Sequence, residues 1–165
     1  MSVVVRCVFW LSMAGLLILQ GCGSSKEHPS DDVIVLSGVV QKGIFTRLAV
    51  KALPVNRTTG KIDTDQAVEA KTEGSRYTLS LNDPGTYVLE AKGQFIDEIT
   101  GKTVELEAGL KSLITVEPEV SALESNVNLM THLYTQQVFN RVSSGVALVQ
   151  AKEQARKFLI DSMGF

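Results

Sequence analysis

Apolar residues along the chain follow two different periods, and the change falls near Ser121. Before it, hydrophobic runs are short, rich in β-branched residues and broken by Gly, Pro, Asn and Asp, which is the pattern of strands and turns. Residues 33–40 are apolar at both parities, so they predict a strand covered on both faces. Residues 48–53 predict a second strand, stopped at Pro54, which has no N–H to give to a ladder. Arg57-Thr58-Thr59-Gly60 reads as a turn and residues 68–72 as a short strand. The clearest alternation sets Tyr77, Leu79 and Leu81 against Thr78 and Ser80, a strand with one face in a core and the other in water. It ends at Asn82-Asp83-Pro84-Gly85, where proline presets the first turn dihedral and glycine accepts the positive one. Residues 87–92, 104–106 and 112–117 supply further strands. About seven strands at this spacing predict a mainly β chain folded as a sandwich rather than a parallel α/β sheet.

After Ser121 the period becomes helical. Leu129, Met130, Leu133, Tyr134, Val138 and Val142 recur at three- and four-residue steps and predict one amphipathic helix, broken by Ser143-Ser144-Gly145. A second helix carries Leu148, Ala151, Ala155, Phe158 and Leu159 inward, with Lys152, Glu153, Arg156 and Lys157 outward. Gly164 followed by Phe165 predicts a left-handed C-terminal cap with its apolar contact. The stripes predict α-helices docked on the sandwich or on each other, giving a β-sandwich over residues 33–118 and a helical hairpin over 119–165.

The amino-terminal segment follows a third pattern. One charge, Arg6, precedes an uncharged run over residues 7–19 and then small residues, the layout of a secretory signal. That run is too short to span a bilayer comfortably, which takes about 20 residues. It closes on Leu19-Gln20-Gly21-Cys22, which resembles the lipobox of bacterial lipoproteins, with Gln20 departing from the small residue usual at that place. The resemblance implies a signal peptide over residues 1–21, a diacylglyceryl group on the Cys22 thiol, cleavage just before Cys22 and acylation of the new amino terminus. Two or more buried chains, at about 0.8 kcal/mol per CH₂, hold a protein stably to a bilayer without spanning it. Gly23, where such proteins carry Asp for inner-membrane retention, implies the outer membrane of the bacterial cell envelope. Residues 23–32 hold no large apolar side chain and predict a flexible tether with an average reach of about 16–19 Å. His28 lies in it and is expected to be solvated.

Charge narrows the partners. Lys and Arg total 16 against 18 Asp and Glu, interspersed along the chain, so no basic stripe predicts nucleic acid. The two cysteines are Cys7, inside the signal, and Cys22, which leaves none for a disulfide in the mature part.

Placed in order, Ser37-Gly38-Val39-Val40-Gln41-Lys42-Gly43-Ile44-Phe45, Gly74-Ser75-Arg76-Tyr77-Thr78-Leu79, Phe95-Ile96-Asp97-Glu98-Ile99-Thr100-Gly101-Lys102 and Val127-Asn128-Leu129-Met130-Thr131-His132-Leu133 are similar to bacterial lipoproteins carrying a carboxypeptidase-regulatory-like domain. That family implies an Ig-like or transthyretin-like β-sandwich followed by helices. The chain departs from its pattern at Ile44, where Pro is usual, and at Asn128 to Thr131, where Thr-Pro-Leu-Thr is.

Catalytic and metal patterns are sparse. Asp63-Thr64-Asp65 offers oxygens, yet neither the glycine nor the distal glutamate of a calcium loop accompanies it. Asp97 and Glu98 beside Gly101 read as polar residues of a hairpin loop rather than an acid pair. His132 has no second histidine beyond the tether to share a zinc ion, and Gly-x-Ser-x-Gly is missing. The expectation is a lipid-anchored, non-enzymatic envelope protein acting as a binding or structural module. Its partners are the membrane, through Cys22, and another envelope protein or a saccharide, with no cofactor. The alternatives are an accessory domain of a larger cell-envelope protein, and a hydrolase centred on His132.

Overall fold

A computed structural model describes residues 33–164. The predicted signal, Cys22, His28 and the tether lie outside the described residues, as does Phe165. Among the described residues nine strands come first: β1 (Ile34–Gln41), β2 (Ile44–Val55), β3 (Val68–Glu69), β4 (Lys71–Glu73), β5 (Arg76–Leu81), β6 (Gly85–Ile96), β7 (Thr103–Val116), β8 (Ala122–Glu124) and β9 (Val127–Asn128). Two helices follow, α1 (Leu129–Ser143) and α2 (Leu148–Met163). The strands form two sheets. Sheet one has the order β4-β5-β1-β8, with β9 also on β1; sheet two has the order β3-β2-β6-β7. Sheet two is antiparallel throughout, whereas β8 and β9 run parallel to β1.

Strand β5 behaves as its alternation requires, with Tyr77, Leu79 and Leu81 buried and the residues between them exposed. They meet Leu36, Val50, Leu89 and Val116 in a core between the sheets. Sheet two has a second apolar face. Neighbours on a strand point to opposite sides, so Leu53, Val55 and Val88 turn away from the first core and pack with Val138, Leu148, Ala151 and Ala155 of the helices. At roughly 1.5–3 kcal/mol for each fully buried large apolar side chain, both layers contribute strongly to folding.

This layering corrects the reading of residues 33–40. β1 buries Ile34, Leu36 and Val40, but Val35 on its other face is 41% exposed, because the helices cover sheet two and not sheet one. The strand covered on both faces is β6, where Thr86, Tyr87, Val88 and Leu89 are all buried. Pro54 does not stop β2 either. Its carbonyl accepts from the Asp63 N–H at 2.8 Å on the side away from β6, so the N–H that proline lacks would have faced the sheet edge. Likewise, residues 104–106 and 112–117 are one strand, β7, bulged near Gly109, whose φ of 66° suits glycine.

The boundary set at residues 118/119 falls inside the sandwich, since β8 and β9 pair with β1. The chain between them crosses close over Gly38: a Cβ there would collide with the Ser125 carbonyl oxygen, which the Tyr77 hydroxyl also reaches. Val39 N–H donates to Asn126 Oδ1 at 2.9 Å, completing the ladder with a side chain.

Asn128 caps α1: its Oδ1 accepts from the Thr131 N–H and the Thr131 hydroxyl accepts from the Asn128 N–H, both at 2.9 Å. The helix faces inward differently from its hydrophobic stripe. Thr135 and Val138 are buried, while Leu129, Met130 and Leu133 are exposed. On α2, Leu148, Ala151 and Ala155 are buried as predicted, but Phe158 is exposed and lies 5.5 Å from the Arg141 guanidinium. Lys152 turns inward, its Nζ donating to Thr115 Oγ1 at 2.7 Å. Gly164 adopts the predicted left-handed conformation at φ 73°.

Candidate functional site

An outermost strand presents unpaired N–H and C=O groups, and β7 is the outermost strand of sheet two. Helix α1 lies along it and answers those groups with side chains. Leu113 N–H donates to Thr135 Oγ1 at 2.9 Å, Lys111 N–H donates to His132 Nδ1 at 3.1 Å, and Thr131 Oγ1 donates to the Lys111 carbonyl at 3.3 Å. This is why the inward face of α1 is partly polar, and why its apolar period misplaces the helix.

His132 is therefore held as an acceptor. With Nδ1 occupied, its proton resides on Nε2. Burial, reinforced by the positive charge of Lys111, lowers its pKa from the ordinary histidine value, which keeps the ring neutral at pH 7. The hydroxyl of Thr135, which lines the same cleft as the ring, is committed as well, its Oγ1 donating to the Thr131 carbonyl at 2.7 Å.

The ring borders a cleft of about 250 Å³ between α1, β7 and the chain at Ile62. Ile62, Ala108 and Phe139 make its apolar walls, and Lys111, His132, Gln136 and Asn140 its polar ones. Lys111 is joined to Glu90 at 3.4 Å, and the other oxygen of Glu90 is 3.2 Å from Lys92. Glu90 and Lys92 line a second cleft of about 330 Å³, which also touches Lys51 and Thr64. A third hollow, about 380 Å³, lies along β4 and β5 beside Lys71, Glu73 and Arg76.

The acidic candidates are turn-formers. Asp63 Oδ1 accepts from the Asp65 N–H at 3.0 Å. Asp97 Oδ1 accepts from the N–H groups of Ile99 (3.2 Å) and Thr100 (2.7 Å) and from the Thr100 hydroxyl (2.8 Å). These bonds, the Thr100 N–H foremost, lower the Asp97 pKa below the ordinary carboxylate value. Asn56 does the same for residues 58 and 59 in the loop after β2, at 3.0 and 2.9 Å. The two loops, Asn56-Arg57-Thr58-Thr59-Gly60-Lys61 and Asp97-Glu98-Ile99-Thr100-Gly101-Lys102, share a plan. In each, the glycine N–H returns to the carbonyl of the first residue, and the glycine φ values are 67° and 65°. The Thr-Gly-Lys recurrence is a sequence signal for this pairing.

Among the described residues no group of three or more His, Cys, Asp or Glu side chains could hold a metal ion, and no helix is long and apolar enough to cross a membrane. No family model, no curated protein and no solved structure matches the chain.

Proposed function

We propose that the chain is a lipid-anchored, non-enzymatic protein of the bacterial cell envelope, at the outer membrane, whose folded part is a binding or structural module. The observation that carries this is Leu19-Gln20-Gly21-Cys22 at the end of an uncharged run and ahead of a tether. The commitment of His132 to the Lys111 N–H supports the non-enzymatic reading, because the histidine is engaged where a general base would need to be free. Two facing, mostly antiparallel sheets followed by helices support assigning the sandwich to the Ig-like, transthyretin-like type.

Cells expressing the full chain and fed labelled palmitate test the anchor. Label on the wild-type band, with a blank and larger Cys22→Ser band, is the expected outcome. A wild-type band without label, cut elsewhere than before Cys22, overturns the reading.

A further inference from the structure

The cleft beside His132 has an unbalanced charge and unused hydrogen-bonding groups. Glu90 is shared by two ammonium groups, Lys92 at 3.2 Å and Lys111 at 3.4 Å, so two positive charges meet one negative. Lys111 lines this cleft and Lys92 the neighbouring one, so the single Glu90 carboxylate leaves Lys111 only partly neutralised. His132 Nδ1 is occupied by the Lys111 N–H, which leaves its Nε2–H as a donor. Gln136 and Asn140, one helical turn apart, line the same cleft, and among the described residues neither side-chain amide makes a hydrogen bond to another group. Phe139 offers an apolar wall.

We propose that this cleft binds a carboxylate-bearing sugar unit, a hexuronic acid, with Lys111 and His132 on its carboxylate. Carboxamides both donate and accept, as paired sugar hydroxyls require. The hydrocarbon face of a pyranose ring suits the Phe139 side. A volume of about 250 Å³ lies just under the roughly 300–1,000 Å³ usual for small-molecule sites, so the cleft takes one ring and not a buried chain. The proposal rests on the reading of the folded part as a binding module and names its ligand.

The test is an NMR titration of the full chain in detergent micelles with sodium glucuronate, glucose, acetate and a short polyuronate, at constant ionic strength. Glucuronate should saturate shifts at Lys111, His132 and Gln136, about tenfold more tightly than glucose, which lacks the charge-assisted hydrogen bonds of the carboxylate, and about tenfold more tightly than acetate, which lacks the ring and its hydroxyls. Lys111→Gln should remove that preference. Gln136→Leu, at an exposed position that cannot unseat α1, should weaken glucuronate about fivefold. Tighter binding of the polyuronate assigns the unit to a polysaccharide, and equal binding to a free acid. Glucuronate shifts that never saturate, or acetate binding equally well, overturn the proposal. A palmitate-labelled chain that ignores glucuronate refutes the cleft alone, whereas an unlabelled chain that binds it refutes only the anchor.

Discussion

The loops at residues 56–61 and 97–102 share the same pattern of bonds from backbone N–H groups and stand in opposite surroundings. The first lies under α1, where a Cβ on Gly60 would come 2.5 Å from Val142 Cγ1. The second is in water: nothing comes within 4 Å of a Cβ on Gly101, and Ile99 is 95% exposed. An Asx residue, a left-handed glycine and a threonine suffice to make the turn. What a substitution there costs is decided elsewhere, by whether a helix has been laid over the loop.

The largest test of this contrast is Val138→Asp against Ile99→Asp. Val138 is fully buried on the inward face of α1, so an unpaired carboxylate there should cost about 4 kcal/mol or more and unfold a domain of ordinary stability. Ile99→Asp should stay within about 0.5 kcal/mol. Similar urea midpoints for the two variants would show that α1 does not cover this end. A step down in size, Gly60→Ala combines backbone strain with a clash and should cost about 2–4 kcal/mol, while Gly101→Ala carries strain alone, about 1–2 kcal/mol. If both lose the same stability, the loop at 56–61 is as open as its twin. Next, Thr135→Val removes the acceptor of the Leu113 N–H at nearly constant volume and should cost about 1–3 kcal/mol. Amide exchange at Leu113 should accelerate, and unchanged exchange would mean that the edge of β7 is satisfied another way. The smallest effect is in acid. The folded state holds the Asp97 pKa below its ordinary value, so the stability it contributes is present above about pH 4 and lost as pH falls through the folded value. Asp97→Asn should therefore differ from wild type in melting temperature less at pH 2 than at pH 7, and Asn56 variants should show no such trend. Parallel curves for Asp97→Asn would remove the carboxylate from the turn.

Much of the sandwich is legible in the sequence because its determinants are local. The alternation at Tyr77, Leu79 and Leu81 depends on a strand having one wet face, and β5 has one. Reading fails where a second layer intervenes. Burial on both faces erases alternation, so the central strand β6 looks like any other apolar run, and the apolar run through Val35 suggests a cover that only sheet two receives. The short strands β8 and β9 carry too few residues for any period; they exist because the chain crosses Gly38 and pairs with β1. For α1 the hidden feature is polar. Thr131, His132 and Thr135 face the protein because β7 needs acceptors and donors, a demand that hydrophobic periodicity does not register. His132 itself stands out by its residue type. The cleft around it does not, since Ile62, Lys111 and Gln136 come from three separate stretches.

The parallel pairing of β1 with β8 and β9 has a consequence in time. Val39 waits for Asn126, 87 positions further along, and the Tyr77 hydroxyl for Ser125, 48 positions on. Contacts of such long range require loop closure before they return any stabilisation, and they slow folding. A ribosome that has released β1 through β7 has released a sheet still lacking β8 and β9. The helices that seal β7 emerge later still, after Asn128. The order of the chain thus makes the fold late: the first sheet closes only once the segment through Asn128 is free.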